Sequence, residues 1–276
     1  MQSILITGCS SGIGEHVAKR LHQQGYDVLA TARQSQDVEK LKQAGLKAYQ
    51  LDLQNEQSVE QGFIWAVENA QNKQIDVLFN NGAYGQAGAL EDISRYWLEQ
   101  QFACNVFGWH QLSNLCIKHM RQFGSGKIIH NSSVLGIVSM PFRGAYNASK
   151  YAIEGLADTQ RLELANTNIH VSLIEPGPIL SQFRANAMAQ IEKSVDIENS
   201  VYTQQYQGIL NRLKKEGPAA PFTLPPEAVY KRVERILKSN KPKPRYYVTF
   251  PTYLFGFLKR ILPATWLDKI IGSVKD

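Results

Sequence analysis

Short apolar runs alternate with amphipathic stretches over the first 180 or so residues of the chain. The runs SILIT (3–7), YDVLATAR (26–33), LKAYQLDL (46–53), IDVLFNNGAYG (75–85), GKIIHNSS (126–133) and IHVSLIEPGPI (169–179) predict strands. Between them apolar positions recur every three or four residues, which predicts helices. These helices are GCSSGIGEHVAKRLHQQG, SQDVEKLKQAG, a segment near 55–70, SRYWLEQQFACNVFGWHQLSNLCIKHMRQF and AYNASKYAIEGLADTQRLEL. Gly25 and Gly45 close the first two, and Ser94 is placed to cap the long one. Strands that alternate with helices in this way predict an α/β fold. The expected architecture is a doubly wound parallel sheet of Rossmann type, with helices on both faces and a ligand crevice beyond the strands' carboxyl ends.

After residue 180 the pattern loosens. Residues 181–224 are rich in Gln, Asn, Met and Pro and are expected to be an irregular insertion. It is either a lid over the crevice or a tolerated surface excursion. The helix EAVYKRVERILKS and the strand RYYVTF then return to the sheet, so residues 1–250 read as one dinucleotide-binding and catalytic domain. The extension 251–276 mixes aromatics with lysines and is interrupted by Pro251 and Pro263. Three roles fit it: lying on a membrane surface, folding over an apolar site, or joining an oligomer interface.

Composition narrows the function classes. The chain carries a net charge of +6, and all of it lies from Lys238 onward, where eight basic residues face two acidic ones. A neutral body with a basic tail argues against nucleic-acid binding, which needs a cationic face on the domain itself. Cys9, Cys104 and Cys116 have no CxxC spacing and the histidines are scattered, so no disulfide framework and no metal site are expected. The amino-terminal run enters a strand at once, without a basic leader, and no long apolar span occurs. The expected location is the cytoplasm, with peripheral membrane contact through the tail left open.

Candidate chemistry gathers at the predicted strand ends. Gly8, Gly12 and Gly14, with Ser10, Ser11 and Ile13 among them, turn the first strand into a helix. Glycines there let backbone N–H groups reach a pyrophosphate. Arg33 follows the second strand where an acidic residue would bind a ribose 2′-hydroxyl, and an arginine there suits a 2′-phosphate. Asp52 and Leu53 end the third strand, where they contact an adenine ring or, for Asp52, cap the next helix. Asn81 and Gly82 end the fourth, where an amide ties strand ends together or binds a cofactor. Pro176 and Gly177, with Ile179 and Ser181, turn the chain outward after the sixth.

Tyr146 and Lys150 stand four apart on a predicted helix and so share a face. An ammonium beside a phenol favours phenolate and suits the phenol to proton transfer. Ser133, at the end of the fifth strand, is placed to hydrogen-bond the oxygen that Tyr146 protonates. The tyrosine–lysine pair alone is weak evidence, because 12 tyrosines and 18 lysines in 276 residues supply about one such pair by chance. Asn105, flanked by Cys104 and Val106, must find hydrogen-bond partners if buried. Val134, Leu135, Met140, Phe142 and Phe183 are apolar candidates for a substrate pocket, or plain core.

Together these stretches resemble the short-chain dehydrogenase/reductase family. The resemblance rests on TGCSSGIG at 7–14, Asp-Leu at 52–53, NNGA at 80–83, Asn105, Ser133 thirteen before Tyr146, YNASK at 146–150 and PGPILS at 176–181. NNGA departs from the commoner NNAG, and Ser181 stands where the family often has threonine. The LIEPGPI run and the RGAYNASKYA context are similar to the NADP(H)-preferring branch that holds retinol- and hydroxysteroid-type dehydrogenases and bacterial aldehyde reductases.

The resemblance implies catalytic Asn105, Ser133, Tyr146 and Lys150, with NADP(H) as cofactor. Hydride would pass between NADP(H) and a small apolar carbonyl or the matching alcohol. Lys150 would lower the Tyr146 pKa and hold the nicotinamide ribose, and Asn105 would anchor a water linking Lys150 to solvent. A homodimer or homotetramer through the long helices is also implied. A non-catalytic NADP(H)-binding regulator or membrane-associated scaffold is the competing class, and an intact Asn-Ser-Tyr-Lys set argues against it.

Overall fold

The computed structural model describes residues 1–214, 217–218 and 220–273. The chain runs β1 (Ser3–Ile6), α1 (Gly12–Gln23), β2 (Asp27–Ala32), α2 (Ser35–Gln43), β3 (Lys47–Gln50), α3 (Glu56–Asn69) and β4 (Val77–Asn80). It continues through α4 (Arg95–Phe102), a π turn (Ala103–Phe107), α5 (Gly108–Phe123), β5 (Ser125–Asn131), α6 (Gly144–Glu163) and β6 (Asn168–Glu175). The last third holds α7 (Phe183–Ser194), α8 (Thr203–Lys214), α9 (Glu227–Lys238), β7 (Arg245–Tyr247), α10 (Phe250–Ile261) and α11 (Ala264–Ser273). Among the described residues seven strands, all parallel, form one sheet in the order β3-β2-β1-β4-β5-β6-β7.

The strands read as apolar runs because both sheet faces are covered. In β1, Ile4 and Ile6 join one core with Val17 and Leu21 of α1, Val38 of α2 and Val233 of α9. Leu5, pointing the other way, joins the second core with Val59 of α3, Leu112 of α5 and Ile153 of α6. This is the doubly wound sheet that the strand–helix alternation implies. The strand order changes direction between β1 and β4, which puts the crevice above those two strands.

Four local expectations differ from what is observed. The long helix from Ser94 is broken by the π turn, which carries Asn105 inward. The insertion is mostly helical, and its ends are pinned together, since Leu180 N donates to Leu224 O at 3.0 Å and Leu224 N to Pro178 O at 3.1 Å. Its helices α7 and α8 enclose a small core of their own with Ala89, Ile191 and Tyr206. Pro251 starts a helix instead of breaking one, because the first turn of α10 needs no proline N–H. Finally, Asn55 and not Asp52 caps α3, accepting from Ser58 N at 2.8 Å. Among the described residues the three cysteines are free thiols, and no helix is long and apolar enough to cross a membrane.

Candidate active site

Loop geometry at the end of β1 is set by close approach. Gly8 takes φ +71° and rests against Gly82, so that a side chain at Gly8 would collide with the Gly82 backbone. A Cβ at Gly14 would run into the Gly8 carbonyl. Ser11 occupies the cap position of α1 without a side-chain hydrogen bond, leaving the first N–H groups of this 12-residue helix to face the crevice. Bare backbone and unspent donors are what a pyrophosphate requires, so the site fits a dinucleotide. The shifted glycine of NNGA is explained here, because a Cβ at Gly82 would press on Leu53 and on the Gly8 backbone.

Asn81 braces this loop. Its N–H donates to Thr7 Oγ1 at 2.9 Å, its Nδ2 to the Thr7 and Gly8 carbonyls at 3.0 and 3.1 Å, and its Oδ1 accepts from Asn131 Nδ2 at 2.9 Å. The amide therefore ties the ends of β1, β4 and β5 together.

The acid/base group lies across the crevice. Tyr146 is buried on the first turn of α6, and Ser133 lines the crevice with it, near enough to favour the ionised phenol. Ser133 Oγ is held in place by accepting from Leu135 N at 3.1 Å. Lys150, one turn on and 1% exposed, donates to the Asn131 carbonyl at 2.8 Å. Its ammonium lies 4.3 Å from the Trp109 ring centre and 5.6 Å from that of Tyr146. Burial pulls Lys150 down to about 7. The expected depression of the Tyr146 pKa is not present: burial pushes the phenol above its usual range, and only the Ser133 hydroxyl and the Arg143 charge pull it back.

Asn105 is fully buried, and its side chain is committed to protein groups. Its Nδ2 donates to Tyr84 O at 2.9 Å and Ser149 Oγ at 3.1 Å, and its Oδ1 accepts from Tyr84 N at 3.2 Å. It fixes the loop after β4 against α6.

One cavity of about 650 Å³ brings most of these residues together. Gly8, Ser10, Ser11, Gly12, Ile13, Asn81, Gly82, Ser133, Tyr146, Lys150, Pro176, Gly177, Ile179 and Ser181 all line it. So do Val134, Leu135, Met140, Phe142 and Phe183, with the Phe183 ring centre 5.3 Å from that of Tyr146. Gly14, Arg33, Asp52, Leu53 and Asn105 do not line it. Leu53 is buried in the core, Asp52 accepts from Gln54 N at 3.0 Å, and Arg33 stands exposed beyond β2.

The profile of the family described as short chain dehydrogenase matches residues 2–192. The chain belongs to this family. Over 270 residues this short-chain dehydrogenase is 42% identical to the uncharacterized oxidoreductase YbbO of Escherichia coli strain K12, covering 98% of the chain and 94% of that protein. It is 34% identical over 200 residues to retinol dehydrogenase 8 of Homo sapiens, covering 69% of the chain and 63% of that protein. Its fold is similar to that of a short-chain dehydrogenase/reductase from Burkholderia phymatum solved in complex with NAD. That match has a TM-score of 0.78 at 22% identity and covers 100% of this chain and 96% of the other. The protein is thus an oxidoreductase, of a family that uses NAD or NADP on small substrates.

Several residues that bear on the site carry no motif. Trp109 Nε1 donates to the Gly82 carbonyl at 2.7 Å while its ring faces Lys150. Beneath Lys150, Glu154 accepts from Ser132 Oγ at 2.5 Å and pairs with Arg245 at 3.0 Å. Arg245 also meets Asp158 at 2.8 Å and the fully buried Glu175 at 3.2 Å. Glu154, four after Lys150 on one helix face, and Glu175, an acid inside an apolar strand, were the available signals. Phe222, Phe250 and Leu254 complete the cavity wall from the insertion and the tail.

Proposed function

We propose that the protein is an NADP(H)-dependent carbonyl reductase for apolar aldehydes or ketones, able to run in reverse on the matching alcohol. The observation that carries this reading is that Ser133, Tyr146 and, one helical turn on, Lys150 line one cavity whose other wall is Phe142, Phe183, Phe222 and Leu254. A relative named as a retinol dehydrogenase agrees with an apolar substrate.

Gly8, Ser10, Ser11, Gly12 and Ile13 would hold the pyrophosphate, Arg33 the 2′-phosphate, Asp52 and Leu53 the adenine side, and Pro176, Gly177, Ile179 and Ser181 the nicotinamide side. When bound, the cofactor supplies or accepts the hydride. Ser133 orients the substrate oxygen and donates to it as negative charge grows there. Tyr146 gives that oxygen its proton in reduction and removes it in oxidation. A phenol held above its ordinary range by burial is protonated at neutrality, as a proton donor must be. Lys150 then returns a proton to the Tyr146 phenolate and is itself reprotonated from solvent, while Asn105 holds the loop after β4 against α6.

The insertion 181–224 acts as a lid on the hinge formed by Pro178–Leu180 and Leu224, and the start of the tail forms part of the cavity's rim. Exposed Tyr96, Phe107 and Tyr151, on α4, the π turn and α6, mark the face through which copies associate. We assign the protein to the cytoplasm.

The deciding experiment mixes protein, NADPH or NADH, and a panel of aldehydes and ketones, and follows loss of nicotinamide absorbance. Consumption with NADPH and apolar carbonyls is expected. Tyr146→Phe should lower kcat by about a thousandfold while leaving NADPH affinity near normal. Appreciable residual turnover in that variant overturns the role of Tyr146, and no turnover with any carbonyl overturns the reductase reading.

A further inference from the structure

We infer that α10 and α11 form a seat for an anionic lipid surface, and that the substrate cavity opens onto that surface. The seat stands apart from the reductase reading; only the loading of substrate from the lipid rests on it.

Helix α10 is apolar on two sides. Its inner side packs Phe255 against Val138, Leu267 and Ile271. On its outer side Phe250, Leu254, Phe257 and Ile261 recur in steps of four, three and four, forming one stripe with Tyr253 beside it. All five are exposed, Phe257 by 59%. Helix α11 adds Trp266 and Ile270, four apart and exposed, Trp266 by 61%. Phe222 of the insertion extends the stripe by packing its ring 4.9 Å from that of Phe250. A contiguous apolar face of this kind marks a contact surface.

Charge selects the occupant. On the two helices themselves basic residues outnumber acidic ones, Lys259, Arg260 and Lys269 against Asp268, whereas Lys238 and Arg245, earlier in the basic stretch, are paired with Glu234 and with Glu154, Asp158 and Glu175. Arg260 and Lys269 are exposed directly beside Ile261 and Ile270 in the sequence. Lys259 is engaged elsewhere, because it donates to Ile137 O and to the Tyr151 hydroxyl. Aromatic side chains interleaved with basic ones suit the headgroup region of an anionic bilayer. Access favours lipid over a protein partner as well. Phe222, Phe250 and Leu254 belong both to the exposed stripe and to the cavity wall. A rigid partner seated across them would shut the way to Tyr146, whereas a fluid lipid surface leaves it open and itself dissolves apolar carbonyls.

The test is sedimentation of the full chain with vesicles of phosphatidylcholine alone or mixed with phosphatidylglycerol. Binding to the mixed vesicles should be about tenfold tighter or more and should weaken with salt. The double variant Phe257→Asp/Ile261→Asp should lose that binding. So should Arg260→Glu/Lys269→Glu, which alters only exposed side chains and serves if the first pair fails to fold. A long-chain aldehyde supplied in vesicles should be reduced more slowly by both variants, and a water-soluble short-chain aldehyde at the unchanged rate. Absence of vesicle binding by the unaltered protein overturns the seat. A dimer that the apolar variant converts to monomer in the ultracentrifuge, with lipid binding unchanged, also overturns it and assigns the stripe to a second copy. Lipid binding without turnover of any carbonyl leaves the seat and removes only the reductase reading.

Discussion

Lys150 gives its ammonium to the main-chain carbonyl of Asn131, 2.8 Å away and two residues before Ser133. The helix that carries Tyr146 is thereby tied to the last residue of β5, from which the chain runs straight on to Ser133. The cost is a buried charge, which lowers Lys150 to about 7 from an ordinary value of 10.5. Between these two values the unfolded chain holds a proton that the folded chain has released, so this group makes stability rise with pH. Lys150→Met removes that contribution. Relative to the variant, the unaltered protein should gain about 2 kcal/mol between roughly pH 6.5 and pH 8.5, measured by urea unfolding. An equal pH slope in both proteins would contradict the burial argument. The variant should also lose most of its turnover.

Glu175 contributes in the opposite direction. It is fully buried, and desolvation together with the neighbouring Glu154 carboxylate raises it well above the ordinary glutamate range, against the pull of Arg245. The folded chain therefore keeps a proton that the unfolded chain releases, and stability contributed by this group is present in acid and lost as pH rises through the raised value. Glu175→Gln mimics the protonated form at every pH. It should match the unaltered protein near about pH 5 and exceed it in denaturant midpoint near about pH 8.5. Arg245 keeps Glu154 and Asp158 as partners in the variant, so the fold is not at risk. A midpoint difference that does not change with pH would mean the carboxyl is ionised in the fold.

The sheet was legible in the sequence because strands covered on both faces carry unbroken apolar runs at their centres, as in Ile4–Ile6 of β1, Val77–Phe79 of β4, Ile128–Ile129 of β5 and Leu173–Ile174 of β6. Ser133, Tyr146 and Lys150 were legible because a shared helix face and a strand end are local patterns. Trp109 was not, since its partner Gly82 lies 27 positions away and only the packed structure joins them. Arg245 reaches Glu154 across 91 residues, a pairing that no periodicity announces. Helix α7 reads as irregular chain in the sequence because its Ala, Met and Gln positions define no clear apolar face. The π turn hides inside a pattern that an uninterrupted helix would also produce. Asp52 has two possible roles by sequence; in the fold its carboxylate accepts from Gln54 N while Asn55 does the capping.

Trp109 holds two parts of the site at once. Its Nε1 satisfies the Gly82 carbonyl at 2.7 Å, next to Gly8, and its ring faces the Lys150 ammonium at 4.3 Å. Trp109→Phe keeps a ring but leaves that carbonyl without its donor. The expected stability loss is about 1–3 kcal/mol, the cost of an unmet buried polar group. NADPH affinity should fall with it, since the loop bearing Gly8 loses a brace. Unfolding in urea checks the first and fluorescence titration the second. Unchanged affinity in a destabilised variant would confine Trp109 to packing.

Arg33 bears on which dinucleotide is used. It stands exposed at the end of β2, follows Ala32 and has no acidic neighbour at the strand end. Its main-chain carbonyl accepts from Gln50 Nε2 at 3.0 Å, so the backbone position is fixed while the guanidinium is free to meet solvent or a ligand. A charge-assisted bond to a phosphate contributes about 1.5–3 kcal/mol, a factor of roughly ten to a hundred. Arg33→Asp should therefore lower kcat/KM for NADPH by about that factor and raise it for NADH, because the carboxylate repels a 2′-phosphate and accepts from a 2′-hydroxyl. The substitution touches no buried contact, so the thermal midpoint should stay within about 0.5 kcal/mol equivalent of the unaltered protein. Steady-state kinetics with both cofactors and one apolar aldehyde decide the point. If the unaltered protein already turns over with NADH and ignores NADPH, Arg33 is only a solvated loop residue and the preference argued from it is wrong.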